Sequence, residues 1–236
     1  MTITYDPATG TVRGSAVEVE GVRSSLAGGD PTAGGALPEG DPILDAVARA
    51  LAAPMLSLEL TNSGPGGHQR HLLEAGTNAV TVRTSDAGPE LGELGAFPFQ
   101  VLPGSMTRLV NFVPGRAPGD GAEPVRIDAA QVTALASEDA DERLAAWHGV
   151  RDRLAELVDP AEADASWQLV RAHCSWTATD GERTEDLVVH LRAGESYFVL
   201  VQDDDALDLV PVPSITAWET LIRVLPGAGE IKDPRG

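Results

Sequence analysis

The chain has 236 residues, 36 of them acidic against 17 basic, for a formal net charge of −19. A field of that sign repels phosphate backbones and anionic lipid, which argues against nucleic-acid and membrane-surface roles and leaves a protein or a small molecule as partner. A chain of this length buries enough surface to fold without a metal or disulfide staple, and Cys174 is its one cysteine, as suits a reducing compartment. The first residues, MTITYDPATG, have neither a basic nor an apolar leader, and uninterrupted apolar runs such as YFVLV (197–201) are only strand-sized. The expectation is a cytoplasmic protein with no membrane insertion. Lys232 is the one lysine beside abundant Arg, Ala, Gly, Pro and Asp, the coding bias of a GC-rich genome such as an actinobacterial one.

In chain order, residues 1–23 read as an N-terminal hairpin, with Asp6-Pro7 and Gly10 supplying the turn between β-prone arms. Residues 24–40 are poor in large apolar groups and read as a flexible linker. Asp41 and Pro42 then make an N-cap and first-turn pair. Ile43, Leu44, Val47 and Leu51 recur at helical spacing until Pro54 stops the helix. Three strands follow in MLSLELT, HQRHLLEA and NAVTVRTS, then a loop DAGPELGELGAFPF and a helix PGSMTRLVNFV. This first α/β half spans 41–116, and a connector covers 117–137.

The second half, 138–227, repeats the order. A helix at about 138–158 places Leu144, Trp147, Val150, Arg151, Leu154 and Leu157 near one side. Strands occupy SWQLVRAHCSWTAT, TEDLVVHLRA and ESYFVLVQ, then comes a loop with a short strand in DDDALDLVPV, and SITAWETLIRVL forms the last helix before a tail at 228–236. LVNFVPG (109–115) and LIRVLPG (221–227) are aliphatic at matching positions and end on the same Pro-Gly. The pattern predicts an α+β fold, a quasi-twofold repeat of two α-βββ-α units in one integrated domain.

No motif carries catalysis. SGPGGHQRH (63–71) lacks both the helix that a phosphate loop leads into and the Lys-Ser/Thr pair, and it reads as a hairpin tip. His68 and His71 would point to opposite faces of a strand, which disfavours a shared metal. Asp203, Asp204, Asp205 and Asp208 lack the Gly and Glu of an EF-hand; they read as a solvated tip with weak calcium binding at most. His173 and Cys174, being neighbours in a strand, face apart and cannot pair as base and nucleophile, and Cys174 falls in the core set Val170, Ala172, Cys174, Trp176. Nothing calls for a cofactor. The other face of the second sheet, with Trp167, Leu169, His173, His190, Tyr197 and Val199, mixes aromatic, aliphatic and imidazole groups. It suits a protein-binding surface unless a helix of the same chain lies over it.

Four stretches, ILDAVARALAAPMLSLEL, RHLLEAGTNAVTV, LPGSMTRLVNFVPGRAP and LVPVPSITAWETLIRVLPG, span most of 37–227. In pattern and position they resemble the EspG family, cytosolic chaperones of the type VII (ESX) secretion systems of actinobacteria. The resemblance implies a quasi-twofold α+β domain around an antiparallel central sheet. It also implies a non-catalytic role, covering the apolar tip of a helical-hairpin secretion substrate of PE/PPE or WXG-like type. The N-terminal hairpin and Gly-rich linker depart from the family pattern, and no binding residue transfers by motif. A second reading is an acidic immunity-type protein neutralising a basic toxin, favoured by nine acidic to three basic residues in 137–164 and nine to two in 180–208. An enzyme is the third; it requires a deep pocket with convergent ionisable groups.

Overall fold

The computed structural model describes residues 3–28, 37–38, 40–77, 79–86, 92–119, 121–203, 206–227 and 229–232. In chain order the elements are β1 (Thr4–Asp6), β2 (Thr11–Gly14), α1 (Ala16–Ala27), α2 (Pro42–Ala52), β3 (Leu56–Gly64), β4 (Gly67–Ala75), β5 (Ala79–Asp86), β6 (Gly92–Pro98) and α3 (Leu102–Leu109). There follow β7 (Val125–Ile127), α4 (Ala129–Leu135), α5 (Ala140–Leu154), α6 (Pro160–Ala165), β8 (Trp167–Thr177), β9 (Arg183–Ala193), β10 (Ser196–Asp203), β11 (Ala206–Val212) and α7 (Ser214–Arg223). No helix among the described residues is long and apolar enough to cross a membrane.

The strands form one sheet in the order β1-β2-β6-β5-β4-β3-β8-β9-β10-β11-β7, and every neighbouring pair is antiparallel. Pairing fixes which side chains share a face. Leu56, Leu58 and Leu60 stand opposite Trp176, Cys174 and Ala172, on a side called here the back. Glu59 and Thr61 stand opposite His173 and Arg171 on the front.

Three apolar layers cover the sheet. On the centre of the back, Leu102 and Met106 of α3 and Leu221 of α7 pack with Val110 and Val224 onto Leu56, Leu58, Leu60, Leu73, Ala172 and Cys174. One end of the front is covered by α1 and α2, whose Val19, Val22, Leu26, Val47 and Leu51 meet Val12 and Leu94. The opposite end is covered by α4, α5 and α6, with Leu135, Trp147, Val150, Leu154 and Ala163 on Trp167, Leu169, Leu191 and Phe198. Trp147 lies flat on Trp167, ring centroids 5.0 Å apart.

Several elements differ from the sequence expectation. The N-terminal hairpin is real but ends at Gly14; the second arm and the start of the linker are helix α1, and residues 29–36 and 39 of that linker lie outside the described residues. Val17 and Val19 alternate with Glu18 and Glu20 like a strand, yet Ser15 and Glu18 form a reciprocal capping box. The buried set is Val19, Val22 and Leu26, at helical spacing, while Val17 is 78% exposed. The loop expected over 86–99 contains β6, which pairs with β5 and with β2 and so joins the hairpin to the sheet. A Cβ on Gly92 would lie 2.9 Å from Ala16 Cα; the glycine is what lets α1 sit against β6. Within the connector lie β7 and α4. The long helix stops at Leu154 and is followed by α6, and its inward stripe is Arg143, Trp147, Val150 and Leu154. Leu144, expected inward, is 47% exposed.

Caps fix the entries of the other helices. Asp41 accepts from the Ile43 and Leu44 N–H groups and also takes the Tyr5 hydroxyl at 2.7 Å, tying the hairpin to α2. Removing the Ser15 cap with Ser15→Ala should cost about 1 kcal/mol, measured as a lower urea midpoint with unchanged slope.

Three histidines, His68, His71 and His190, are buried. His190 lies on the back beneath α7, Nε2 2.8 Å from Thr220 Oγ1, and burial pushes its pKa down to about 4. His68, with Nδ1 2.8 Å from the buried Ser63 Oγ, is also lowered, chiefly by burial. Between pH 6.5 and about 4 the unfolded chain binds a proton at His190 that the folded chain refuses. Stability should therefore be full above pH 6.5 and fall through that window, by about 2–3 kcal/mol at pH 4.5 from His190 alone. Urea titrations at pH 7.5, 5.5 and 4.5 check this, and His190→Gln should flatten most of the slope.

Candidate functional site

The two front helical layers stand at opposite ends of the sheet and leave its middle uncovered. There β4, β3, β8 and β9 present Arg70, Glu59, Arg171, His173 and Leu187 to solvent or at half burial. Arg70 Nη2 meets Glu59 Oε2 at 2.6 Å, and His173 Nε2 lies 3.2 Å from Glu185 Oε2. Arg171 has no carboxylate partner among the described residues. Such exposed pairs contribute little to stability, so the strip serves as surface more than as scaffold.

Beside the strip, α4 stands off the sheet and opens a groove of about 340 Å³ lined by Val132 and Thr133 of the helix and by Arg171, Leu187, Val189, Leu200 and Leu207 of the strands. Leu187 is 50% exposed. Val132, Leu200 and Leu207 are packed only partly against the core. The result is an apolar floor with one free guanidinium at its edge. An antiparallel sheet with a solvated face alternates apolar with polar groups; β10 departs from that, with Tyr197, Val199 and Val201 on one face and Phe198 and Leu200 on the other.

The six residues expected on one face are divided between the two. Leu169 stands opposite Leu191, and Val170 opposite His190. Leu191 stands opposite Phe198, and His190 opposite Val199. Trp167, Leu169 and His173 are therefore on the front, and His190, Tyr197 and Val199 on the back. Trp167 and Leu169 lie under α5 and α6, and His190 under α7. Tyr197 is held by the segment after α3, its hydroxyl donating to the Val113 carbonyl at 2.7 Å and its ring stacked on Phe112 at 4.9 Å. Only His173, exposed, and Val199, half-buried, keep access to solvent. Sequence reasoning missed Leu187, Val189, Leu200, Leu207 and Val132. The signal for them was the excess of aliphatic residues in YFVLV and DLVVHL, more than one covered face consumes.

The other described motifs are buried or divided between faces. The Gly-rich stretch is the tip of the β3–β4 hairpin, and its two histidines face opposite ways, His68 opposite Ser63 and His71 opposite Leu60. Ser63 and His68 are hydrogen-bonded, but Ser63 is 1% exposed, so its hydroxyl meets no substrate. Burial pushes the Cys174 thiol up to about 12, which leaves it inert as a nucleophile. Among the described residues no three His, Cys, Asp or Glu converge as metal ligands. Asp204, Asp205 and the side chain of Asp203 lie outside the described residues.

No family model matches the chain, and no curated protein sequence matches it. Among solved structures, the chain is similar to that of the type VII secretion system chaperone EspG5 of Mycobacterium tuberculosis, determined in complex with a PE25-PPE41 dimer. Identity is 12%, coverage is 84% of this chain and 83% of that chain, and the TM-score is 0.46.

Proposed function

We propose that the protein is a non-catalytic, cytoplasmic chaperone or adaptor that shields the apolar end of a helical-hairpin substrate, PE/PPE- or WXG-like, of a type VII secretion system. The partner end lies in the groove beside α4 and across the open front strip. The observation that carries the reading is the groove floor, where Leu187 is half exposed and Leu200 and Leu207 are half-buried beside the buried Val189. The resemblance of the sequence to EspG chaperones supports it, and so does the burial that disarms Ser63 and Cys174. Completing the burial of one half-exposed Leu stabilises by about 1 kcal/mol, so several such contacts supply a useful share of a micromolar affinity.

The same reading takes β6-β5-β4-β3 with α2 and α3, and β8-β9-β10-β11 with α5 and α7, as two copies of one unit related by a twofold between β3 and β8. The halves 41–116 and 138–227 then form one integrated domain, and the connector between them supplies α4, the helix that makes the copies differ.

Co-expression with helical-hairpin pairs encoded in the same genome, followed by size-exclusion chromatography in 1 M NaCl, tests the function. An apolar grip survives, because at that salt charges act over only about 3 Å. Leu187→Glu should leave the urea midpoint unchanged and abolish co-elution. Co-elution of the variant at the wild-type level would sink the groove assignment. A complex formed instead with a basic toxin, and lost in salt, would establish the immunity reading in its place.

A further inference from the structure

On the back of the sheet, away from the groove, a cavity of about 350 Å³ opens where the β3–β4 hairpin tip meets the end of α3 and the start of β8. Its floor carries Asn62, Gln69, Gln168 and Arg192, and Asn111 stands at its wall. Strand pairing places the four floor residues on one face, Asn62 opposite Gln69 and Gln168 opposite Arg192.

The hydrogen-bond inventory of this floor is unbalanced toward donors. Gln168 Nε2 gives one hydrogen to Asn62 Oδ1 and one to the Val110 carbonyl, each at 2.7 Å. That uses the Asn62 acceptor and leaves its NH2 group. The side-chain amides of Gln69 and Asn111 make no hydrogen bond among the described residues. Arg192 meets the Tyr197 hydroxyl but has no carboxylate partner among the described residues, and its Nε–H is buried without any partner. A buried donor without an acceptor is costly and invites an explanation; Arg192 Nε is such a donor, and the half-buried Asn62 and Gln69 and the exposed Asn111 bring further amides to the same cavity.

Two backbone features shape the cavity. Asn111 has φ 49, the one non-glycine residue with positive φ among the described residues, a conformation that costs about 1 kcal/mol or more outside glycine. A Cβ on Gly64 would lie 2.7 Å from the Trp167 carbonyl oxygen, so the glycine lets the hairpin tip close against β8. In a chain with 36 acidic residues, no Asp or Glu lines this cavity. Carboxylates more than a Debye length away, about 8 Å at physiological salt, are largely screened from it.

We propose that this cavity binds a carboxylate borne next to an amide, the chemistry of an N-acylated amino acid, whether as a free small molecule or as the C-terminal end of a peptide. Arg192 and the NH2 group of Asn62 take the carboxylate, since a guanidinium and primary amides are the donors that hydrogen-bond it best. The acceptor oxygens of Gln168, Gln69 and Asn111 match the adjacent amide N–H. The volume equals roughly a dozen waters at about 30 Å³ each, the size of a short peptide end.

The test is a titration of isotope-labelled full-length protein, followed by NMR, with N-acetyl-glycyl-glycine, its C-terminal amide, and a decapeptide ending in Gly-Gly. The free acid should give saturable shifts of the Asn62, Gln69 and Asn111 side-chain NH2 signals and bind about tenfold or more tighter than the amide. A decapeptide that binds as well as the short acid identifies a chain end as the source; a short acid that binds alone identifies a free metabolite. Arg192→Gln should erase the preference for the acid. Asn111→Gly relieves the positive φ, so it should raise the melting temperature while weakening the acid several-fold, separating the site from the fold. Equal binding of acid and amide, shifts that never saturate, or unchanged affinity in both variants overturns the proposal.

Discussion

The pairing of β3 with β8 is the constraint on which the rest of the structure depends. These two strands join the chain's sequence-distant halves, and their backs, Leu56, Leu58, Leu60, Ala172 and Cys174, form the floor of the central core. Since α3 and α7 both pack there, the two helices that end the halves are spent on the back. The front helices α1 and α2 are tethered at the far left by the hairpin, and α4 to α6 at the far right by β7 and the Trp147–Trp167 stack. A sheet of eleven strands is wider than two helical layers cover, so the open middle of the front follows from where the helices are anchored.

This arrangement places an adaptable surface on a rigid support. Side chains on strands held by a packed core are positioned more firmly than side chains on loops. His173 and Arg171 sit on β8, whose back neighbours Ala172 and Cys174 are fully buried, and Leu187 is paired opposite His173 on β9. Their exposure is therefore a stable property of the surface, and no partial unfolding is needed to present it. The groove wall differs, because α4 has only seven residues and a single buried side chain, Leu135. A short helix so lightly anchored is the natural place for the wall to move when something enters.

Legibility followed the strength of local signals. The helix from Pro42 and the strands LSLEL and QLVRAHC were plain in the sequence because cap, period and burial agree there. The helix α1 was hidden because Val17 and Val19 alternate with glutamates, and only Ser15 with Glu18 marked a capping box. Strand β6 was hidden in a run of Gly, Pro and Glu, because Gly92 is there for close packing against α1 and α1 itself had not been seen. The shared face of the six candidate residues failed for another reason. Each strand's alternation was read correctly by itself, but which set of β8 joins which set of β9 depends on register, and a shift of one residue exchanges the faces. Only the pairing of Leu169 with Leu191 settles that, and no periodicity within one strand contains it.

The acidity of the chain takes on a different meaning once the arginines are placed. Arg13, Arg23, Arg70, Arg83, Arg116, Arg126, Arg151, Arg153 and Arg223 each meet a carboxylate, so about half of the few cations are paired within the chain. Arg171 and Arg192 are among the cations with no carboxylate partner among the described residues, Arg171 at the edge of the apolar groove on the front and Arg192, which meets the Tyr197 hydroxyl, in the amide-lined cavity on the back. In a strongly acidic chain, a cation without a mate that lies in a concavity has its charge uncancelled by its own surroundings. It can be completed only from outside. The net charge thus keeps the protein apart from other anions in bulk, while these two concavities remain the places where an acidic group on a partner or ligand is met by an unpaired positive charge.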